Sequence, residues 1–401
     1  MTIKERIEKL TKDVYPDVVK IYHHLHQNPE LSFQEFQTAD FICQQLEKLK
    51  IPYKKGFAKT GIVATIICQN PLKKVVALRA DMDALPVLED LKLNFKSKNE
   101  GIMHACGHDI HMANLLGSAS ILNTLKDEIE GTVLLVFQPG EEKLPGGAKT
   151  MLDEKALDPA PHIVIGQHVM PELPAGIIGL KPGKYMASTD EIFITIKGEG
   201  GHAAMPERFT DTVLIASQII VTLQQVVSRK ANPSIPSVLS FGKVTANGAT
   251  NIIPGTVAIE GTFRTMDEKW RYEAHKIISD ITQSTAQMMG GSCEIKVVNG
   301  YPALTNDDTT SHLVRDFLSE YLGDDKVVTL EPQMTAEDFA YFAETYPSVF
   351  YRLGTGIKGE SNPPLHSSQF IVNENALLTG IGSMAYIAYK LLCTYFKMNS
   401  G

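Results

Sequence analysis

The stretch from 104 to 111, His-Ala-Cys-Gly-His-Asp-Ile-His, crowds three histidines, one cysteine and one aspartate into eight positions. Imidazole nitrogen and thiolate sulfur are the donors that a borderline-soft cation such as Zn²⁺ prefers. Cys106 and His108 stand two apart, so at the end of an extended strand they point to one side. Gly107 between them lets the backbone come close to a ligand. Further groups of the same kind are spread along the chain. Asp81 and Asp83 follow an apolar run at 75–80, Glu141 and Glu142 follow 132–137 and Pro139-Gly140, and His168 follows 163–166. His366 closes the Gly/Pro-rich stretch 354–364.

Cys106, His108, Glu142, His168 and His366 are the candidate metal ligands. Five ligands exceed what one tetrahedral zinc with an open position needs. They suit two cations that share one group, polarise a carbonyl oxygen and activate water. Adjacent carboxylates at 141 and 142 divide the labour: one binds metal, and its neighbour carries the proton from the attacking water to the leaving amine. The implied reaction is metal-assisted hydrolysis of an amide.

The elements that must position these groups alternate. Residues 4–28 and 36–50 read as helices, ending at Pro29 and before Pro52. Apolar runs at 61–67, 75–80, 132–137 and 163–166 read as buried strands, with a helix after Asp109 as its N-cap. This is an α/β pattern, a mixed or parallel sheet flanked by helices, and such sheets bind ligands beyond the carboxyl ends of their strands. From 190 the order changes to strand (190–197), helix (209–228), strands (238–244 and 256–263), helix (268–289) and strand (293–298). That β-α-β-β-α-β order predicts an inserted ferredoxin-like lid at 186–299, between catalytic parts 1–185 and 300–401. The second catalytic part should hold a helix at 309–321, another opening at 334–339 with Thr335 as N-cap, a strand at 349–353 and an amphipathic helix at 376–396 packed on the core.

Composition narrows the function. The net charge is −8, with no basic block, which argues against a nucleic-acid partner. The five cysteines are scattered and odd in number, and the first fourteen residues carry no apolar secretory core, so a cytoplasmic protein without disulfides is expected. The 376–396 segment carries Gly380, Gly382, Ser383 and Lys390 and is read as a core helix, so no membrane partner is expected.

The sequence also resembles the M20 peptidase family. The resemblance rests on Leu78-Arg79-Ala80-Asp81-Met82-Asp83-Ala84-Leu85-Pro86, on the 104–111 stretch, on Gln138-Pro139-Gly140-Glu141-Glu142 and on Gln167-His168-Val169. It extends through Gly198 to Pro206, Asn251-Ile252-Ile253-Pro254-Gly255, Gly261-Thr262-Phe263-Arg264 and Leu365-His366-Ser367-Ser368, in order over nearly the whole chain. The branch it is most similar to holds hippurate hydrolase, N-acyl-amino-acid deacylases, auxin-conjugate hydrolases and N-acetyl-diaminopimelate deacetylase, where a cysteine replaces an aspartate in the metal stretch. The resemblance implies two divalent ions, Zn²⁺ or Mn²⁺, on Cys106, His108, Glu142, His168 and His366, with Cys106 bridging. It implies Glu141 as general base and Asp81 as a catalytic aspartate. It implies His202 of the lid as an oxyanion donor, with Asn251 a weaker candidate, and Arg264 paired either with a substrate carboxylate or with a lid aspartate. It implies a small N-acyl-L-amino acid as substrate and a homodimer or higher homo-oligomer through the lid. Met170 stands where the branch often has Trp, which bears on the acyl pocket. The alternatives are a dipeptidase or carboxypeptidase with the same site, and a non-catalytic metal-stabilised binding protein.

Overall fold

The computed structural model describes residues 1–71 and 73–395 and divides the chain into two compact units. The first comprises Met1–Gly183, Thr305–Glu331 and Asp338–Gly401; the second comprises Lys184–Leu304 and Pro332–Glu337.

The first unit is built on an eight-stranded mixed sheet. Its centre runs Thr132–Gln138, Val75–Asp81, Ile163–Pro174, Ser348–Gly356, all mutually parallel. Thr132–Gln138, Val75–Asp81 and Ser348–Gly356 are buried at every residue, which is why they read as continuous apolar runs rather than alternating ones. Gly61–Ile67 and then Tyr53–Phe57 extend one side antiparallel; Ile178–Leu180 and Val327–Thr329 finish the other. These last two strands are three residues each, too short to leave a periodic signal.

The helix His108–Leu125 lies in the core between Ile3–Gln27 and Ala376–Lys390. It is buried nearly all round, from Ile110 to Leu125. Gly117 has no Cβ to strike Ile381 and Val18, so the three helices can close on one another. The expected C-terminal helix is real and buried; its last expected residue, Phe396, lies outside the described residues.

The second unit is a four-stranded antiparallel sheet of Asp190–Lys197, Ser237–Ala246, Thr256–Thr265 and Ser292–Asn299, with the helices Thr212–Gln225 and Glu268–Met288. In space the strands run fourth, first, third, second by order in the chain, the split β-α-β order. Where the sequence places the end of this unit at Asn299, it runs to Leu304 and takes in 332–337. The reason is local hydrogen bonding: the Gln333 N–H donates to Tyr185 O, and the Ala187 N–H donates to the carbonyls of Gln333 and Thr335.

Two local expectations are corrected. The helix after the histidine cluster starts at His108, and its N-cap is Gly107 at φ +80°, not Asp109. The Asp109 side chain instead meets His26 and the N–H of Ile110. Residues 334–339 do not open a helix either, and the helix there is Ala340–Thr345. The Asp338 carboxylate is drawn into the core by Arg79, Gln138 and the Ala148 N–H, and 333–335 are held by 185–187.

Candidate active site

Asp81 ends its strand, Glu141 and Glu142 follow the turn after the adjacent parallel strand, and His168 lies inside the next strand along. The loop and helix start at 106–108 add Cys106 and His108. His366 is placed by its own backbone. Its φ is +64°, and its N–H donates to Ala105 O at 2.8 Å, one residue from Cys106. A left-handed conformation in a residue with a side chain is costly and concentrates at functional sites. Gly107 permits the other approach, since a Cβ there would sit 2.6 Å from a Val169 methyl, beside His168.

Two triads result, each with ligand atoms within 4.8 Å of one another: Cys106 with His108 and His168, and Cys106 with Glu142 and His366. Cys106 belongs to both. Its Sγ lies 3.5 Å from His168 Nε2, and His366 Nε2 lies 3.2 Å from Glu142 Oε1. Glu141 joins His108 and Glu142 in a third group of the same size.

The histidines are presented for coordination. The His108 Nδ1 lies 2.9 Å from Asp83 O and the His168 Nδ1 lies 2.8 Å from Val169 O, so each Nδ1 carries the proton and each Nε2 keeps its lone pair. His108 Nε2 is buried with no hydrogen-bond partner among the described residues, a costly state unless a cation completes it. Burial and then Arg352 hold His168 well below its ordinary pKa, in the neutral form a ligand needs. Burial opposes a charge on His108, but Asp81, Asp83 and Glu142 together draw it up to about 10. A negative field that would hold a proton at that Nε2 also attracts a cation. Burial and then the Glu142, Glu141 and Asp81 carboxylates push the Cys106 thiol up. A thiolate in such company requires cationic neighbours, which two divalent ions provide. The donor set therefore fits divalent cations.

Asp81 is fully engaged on both oxygens. His111 Nδ1 lies 2.6 Å from Oδ1, and Arg79 Nη1 donates to Oδ2 at 2.6 Å. Burial alone would raise its carboxyl, but Arg79, His108 and His111 hold it well below the usual range. Because the Val169 N–H donates to His111 Nε2, the His111 proton sits on Nδ1 and points at Asp81. His111 is thereby a brace and not a ligand.

Sequence reasoning missed the supports. In the sequence Asp83 reads only as a neighbour of Asp81, and neither Arg79 nor Asp338 reads as a support. The Arg79 guanidinium also donates to Gln138 and Asp338, entirely buried. An arginine inside an apolar strand, Val75–Asp81, was the available signal, since a buried guanidinium needs carboxylate partners.

His202, Asn251 and Arg264 belong to the second unit. His202 is exposed, pairs with Ile252 in a two-residue ladder, and its Nδ1 accepts from the Ala204 N–H at 3.1 Å. Asn251 adjoins it, its carbonyl accepting from the Ala203 N–H. Gly200 is needed there, because a Cβ would fall 2.6 Å from Ile253 O. Arg264 is half-buried on Thr256–Thr265. Asp190, whose charge acts on Arg264, is engaged by Arg271, His275 and the Gly300 N–H.

Residues 77–390 match peptidase family M20/M25/M40. The chain belongs to the M20 peptidase family. This M20 protein is 37% identical over 393 residues to the N-acetyl-L-cysteine deacetylase of Bacillus subtilis, covering 98% of this chain and 92% of that one. It is 36% identical over 393 residues to thermostable carboxypeptidase 2 of Saccharolobus solfataricus, covering 97% and 99%. Its structure is similar to that of the Bacillus subtilis YxeP protein, described as a dinuclear metal binding peptidase. The TM-score is 0.81 and the identity 33%, over 95% of this chain and 99% of that one. The M20 protein is thus a hydrolase of the amidohydrolase kind, with a mixed-sheet catalytic unit that groups candidate metal-ligating side chains.

Proposed function

We propose that this M20 hydrolase cleaves the amide of N-acyl-L-amino acids, using two divalent cations, Zn²⁺ or Mn²⁺, on His108 and His168, on Glu142 and His366, and on Cys106 shared between them. The observation that carries the reading is the pair of ligand triads meeting at Cys106, with Glu141 beside them. Bound cations supply Lewis acidity to the carbonyl oxygen and make water a better nucleophile near neutral pH. Glu141 then takes the proton from the attacking water and returns it to the leaving amine as the carbon–nitrogen bond breaks. Asp81, held charged by Arg79 and oriented by His111, keeps the negative field around His108. His202 donates to the developing oxyanion, supported by Asn251. Arg264 receives the substrate carboxylate, a role favoured because the Asp190 carboxylate already has its partners.

The acyl-amino-acid reading draws on the deacetylase relative; the carboxypeptidase relative favours a second reading, cleavage of a C-terminal residue from a peptide by the same site. A homodimer through the second unit is part of the proposal. Ser237–Ala246 is an edge strand, and Val213, Leu214 and Val221 of the adjacent helix are exposed. Five cysteines, odd in number and scattered along the chain, support a reducing compartment, the cytoplasm. The deciding experiment reconstitutes the protein with Zn²⁺ or Mn²⁺ and assays acetyl-, benzoyl- and aminoacyl-amino acids side by side. Release from aminoacyl substrates alone would favour the peptidase. No release from any of them by a fully metallated protein would leave only metal-stabilised binding.

A further inference from the structure

The segment before the helix Phe36–Lys48 is tied to the catalytic turn at several points. The Ala84 N–H donates to Glu30 O at 2.8 Å, and Leu31 bridges to Ala84 in parallel. The Ser32 hydroxyl donates to Asp83 Oδ2 at 2.6 Å. Phe33 then takes φ +62°, a conformation that a bulky aromatic residue rarely adopts. Its N–H donates to Glu35 Oε1 at 2.9 Å. The same oxygen accepts from the Gly140 N–H at 2.9 Å, and Oε2 accepts from the Thr60 hydroxyl at 2.7 Å. Gly140 has φ +61°, and a Cβ on it would lie 2.5 Å from the Phe33 ring. Three consecutive amides, those of Gly140, Glu141 and Glu142, therefore end on two buried carboxylates, Glu35 and Asp83.

Neither feature of this brace is favourable on its own. Burial raises the Glu35 carboxyl to about 7 against the Thr60 hydrogen bond, with Asp83 adding to the rise. The Phe33 backbone is strained as well. Local costs of this kind persist where the surrounding structure holds them for a use. The Glu35 carboxylate reaches the catalytic turn at Gly140, the residue that precedes Glu141.

We infer that Glu35 is a positioning residue for the hydrolysis, fixing Gly140 so that the Glu141 carboxylate stands where the proton must move. The inference rests on Glu141 as the base, which Glu141→Gln tests independently. Positioning to within a fraction of an ångström is what general-base catalysis requires, while binding of the substrate tolerates more. The reach of Glu35 matters, not its charge.

The test sets Glu35→Gln against Glu35→Asp in the full-length, metal-loaded protein. Gln keeps an oxygen for the Gly140 and Phe33 amides, and the Thr60 hydroxyl can turn to accept from its NH₂. Asp keeps the charge and is one methylene short. Expected is a kcat within about threefold of wild type for Gln and about tenfold or more lower for Asp, with KM and metal content unchanged in both. The Gln variant should also melt higher than wild type at pH 8, since it removes a buried charge. Phe33→Gly is the second variant: it relieves the left-handed backbone and removes the ring behind Gly140, so it should fold and yet lose kcat. Full kcat in folded Glu35→Asp or in Phe33→Gly overturns the inference. So does a Gln variant as impaired as the Asp variant, or loss of metal in either.

Discussion

The Asp83 carboxylate accepts the backbone N–H of Glu141 at 3.1 Å through Oδ1 and that of Glu142 at 3.0 Å through Oδ2. One buried side chain thus sets the two successive residues assigned to proton transfer and metal binding. Its Oδ1 also faces His108 Nδ1 at 3.3 Å, so the proposed base and two candidate ligands share one support. Asp83→Asn replaces one acceptor with a donor that faces an N–H. Leaving such a group unpaired should cost about 1–3 kcal/mol of stability, and turnover should fall at least about tenfold through misplacement. Urea midpoints and kcat measured on the same preparation check both. An active, equally stable variant would show that the turn holds itself.

How far this was visible in the chain depends on what kind of information each feature needs. Cys106, His108, Glu142, His168 and His366 are legible because metal chemistry restricts residue type, and each follows an apolar run that reads as a strand or a recognisable loop. The parallel centre is legible because strands buried on both faces are uninterrupted apolar runs. Asp83 and His111 act through partners 25 to 59 positions away, and Arg79 reaches Asp338 across 259 positions; no local pattern reports such pairs. Gly107 displaced Asp109 as the N-cap because Asp109 found a tertiary partner in His26. The stretch 334–339 reads as a helix start from Thr335 and Asp338, yet buried hydrogen bonds override that propensity.

Glu141→Gln keeps the shape of the side chain and the backbone bond to Asp83 but cannot carry a proton. Turnover should fall on the order of 10²–10⁴-fold, with metal content unchanged by elemental analysis. A metal-depleted variant would mean that Glu141, not Glu142, is the ligand.

His26 offers a prediction about stability and pH. Its Nδ1 lies 2.7 Å from Asp109 and its Nε2 lies 3.5 Å from Glu89, all three buried. Burial alone would lower its pKa, but the hydrogen bonds to Asp109 and Glu89 raise it to about 9. A group raised in the folded state stabilises fully below its unfolded value near 6.5, and that stabilisation is lost as pH rises through 9. Wild type should therefore exceed His26→Asn by about 3 kcal/mol at pH 6, from the size of the rise, and by much less at pH 10. Urea unfolding of both proteins at the two pH values measures the difference. An equal gap at pH 6 and pH 10 would mean that His26 is neutral throughout.

His202 is the proposed donor that the second unit contributes. Its Nδ1 is occupied as an acceptor for the Ala204 N–H, which puts the ring proton on Nε2. The two-residue pairing of Gly201–His202 with Ile252–Ile253 and the close approach at Gly200 hold that loop in place. A fixed donor aimed at a charge that appears only in the transition state lowers the barrier without tightening substrate binding. His202→Ala should therefore lose on the order of a hundredfold in kcat, about 3 kcal/mol of barrier, with KM little changed and metal content intact. If the donor comes from a second copy in a dimer, mixing His202→Ala with Glu141→Gln should restore part of the activity. One site of the heterodimer would then combine an intact base with an intact His202. Wild-type kcat in His202→Ala would end the oxyanion role. Absence of rescue in verified heterodimers would keep the role and assign it to a single chain.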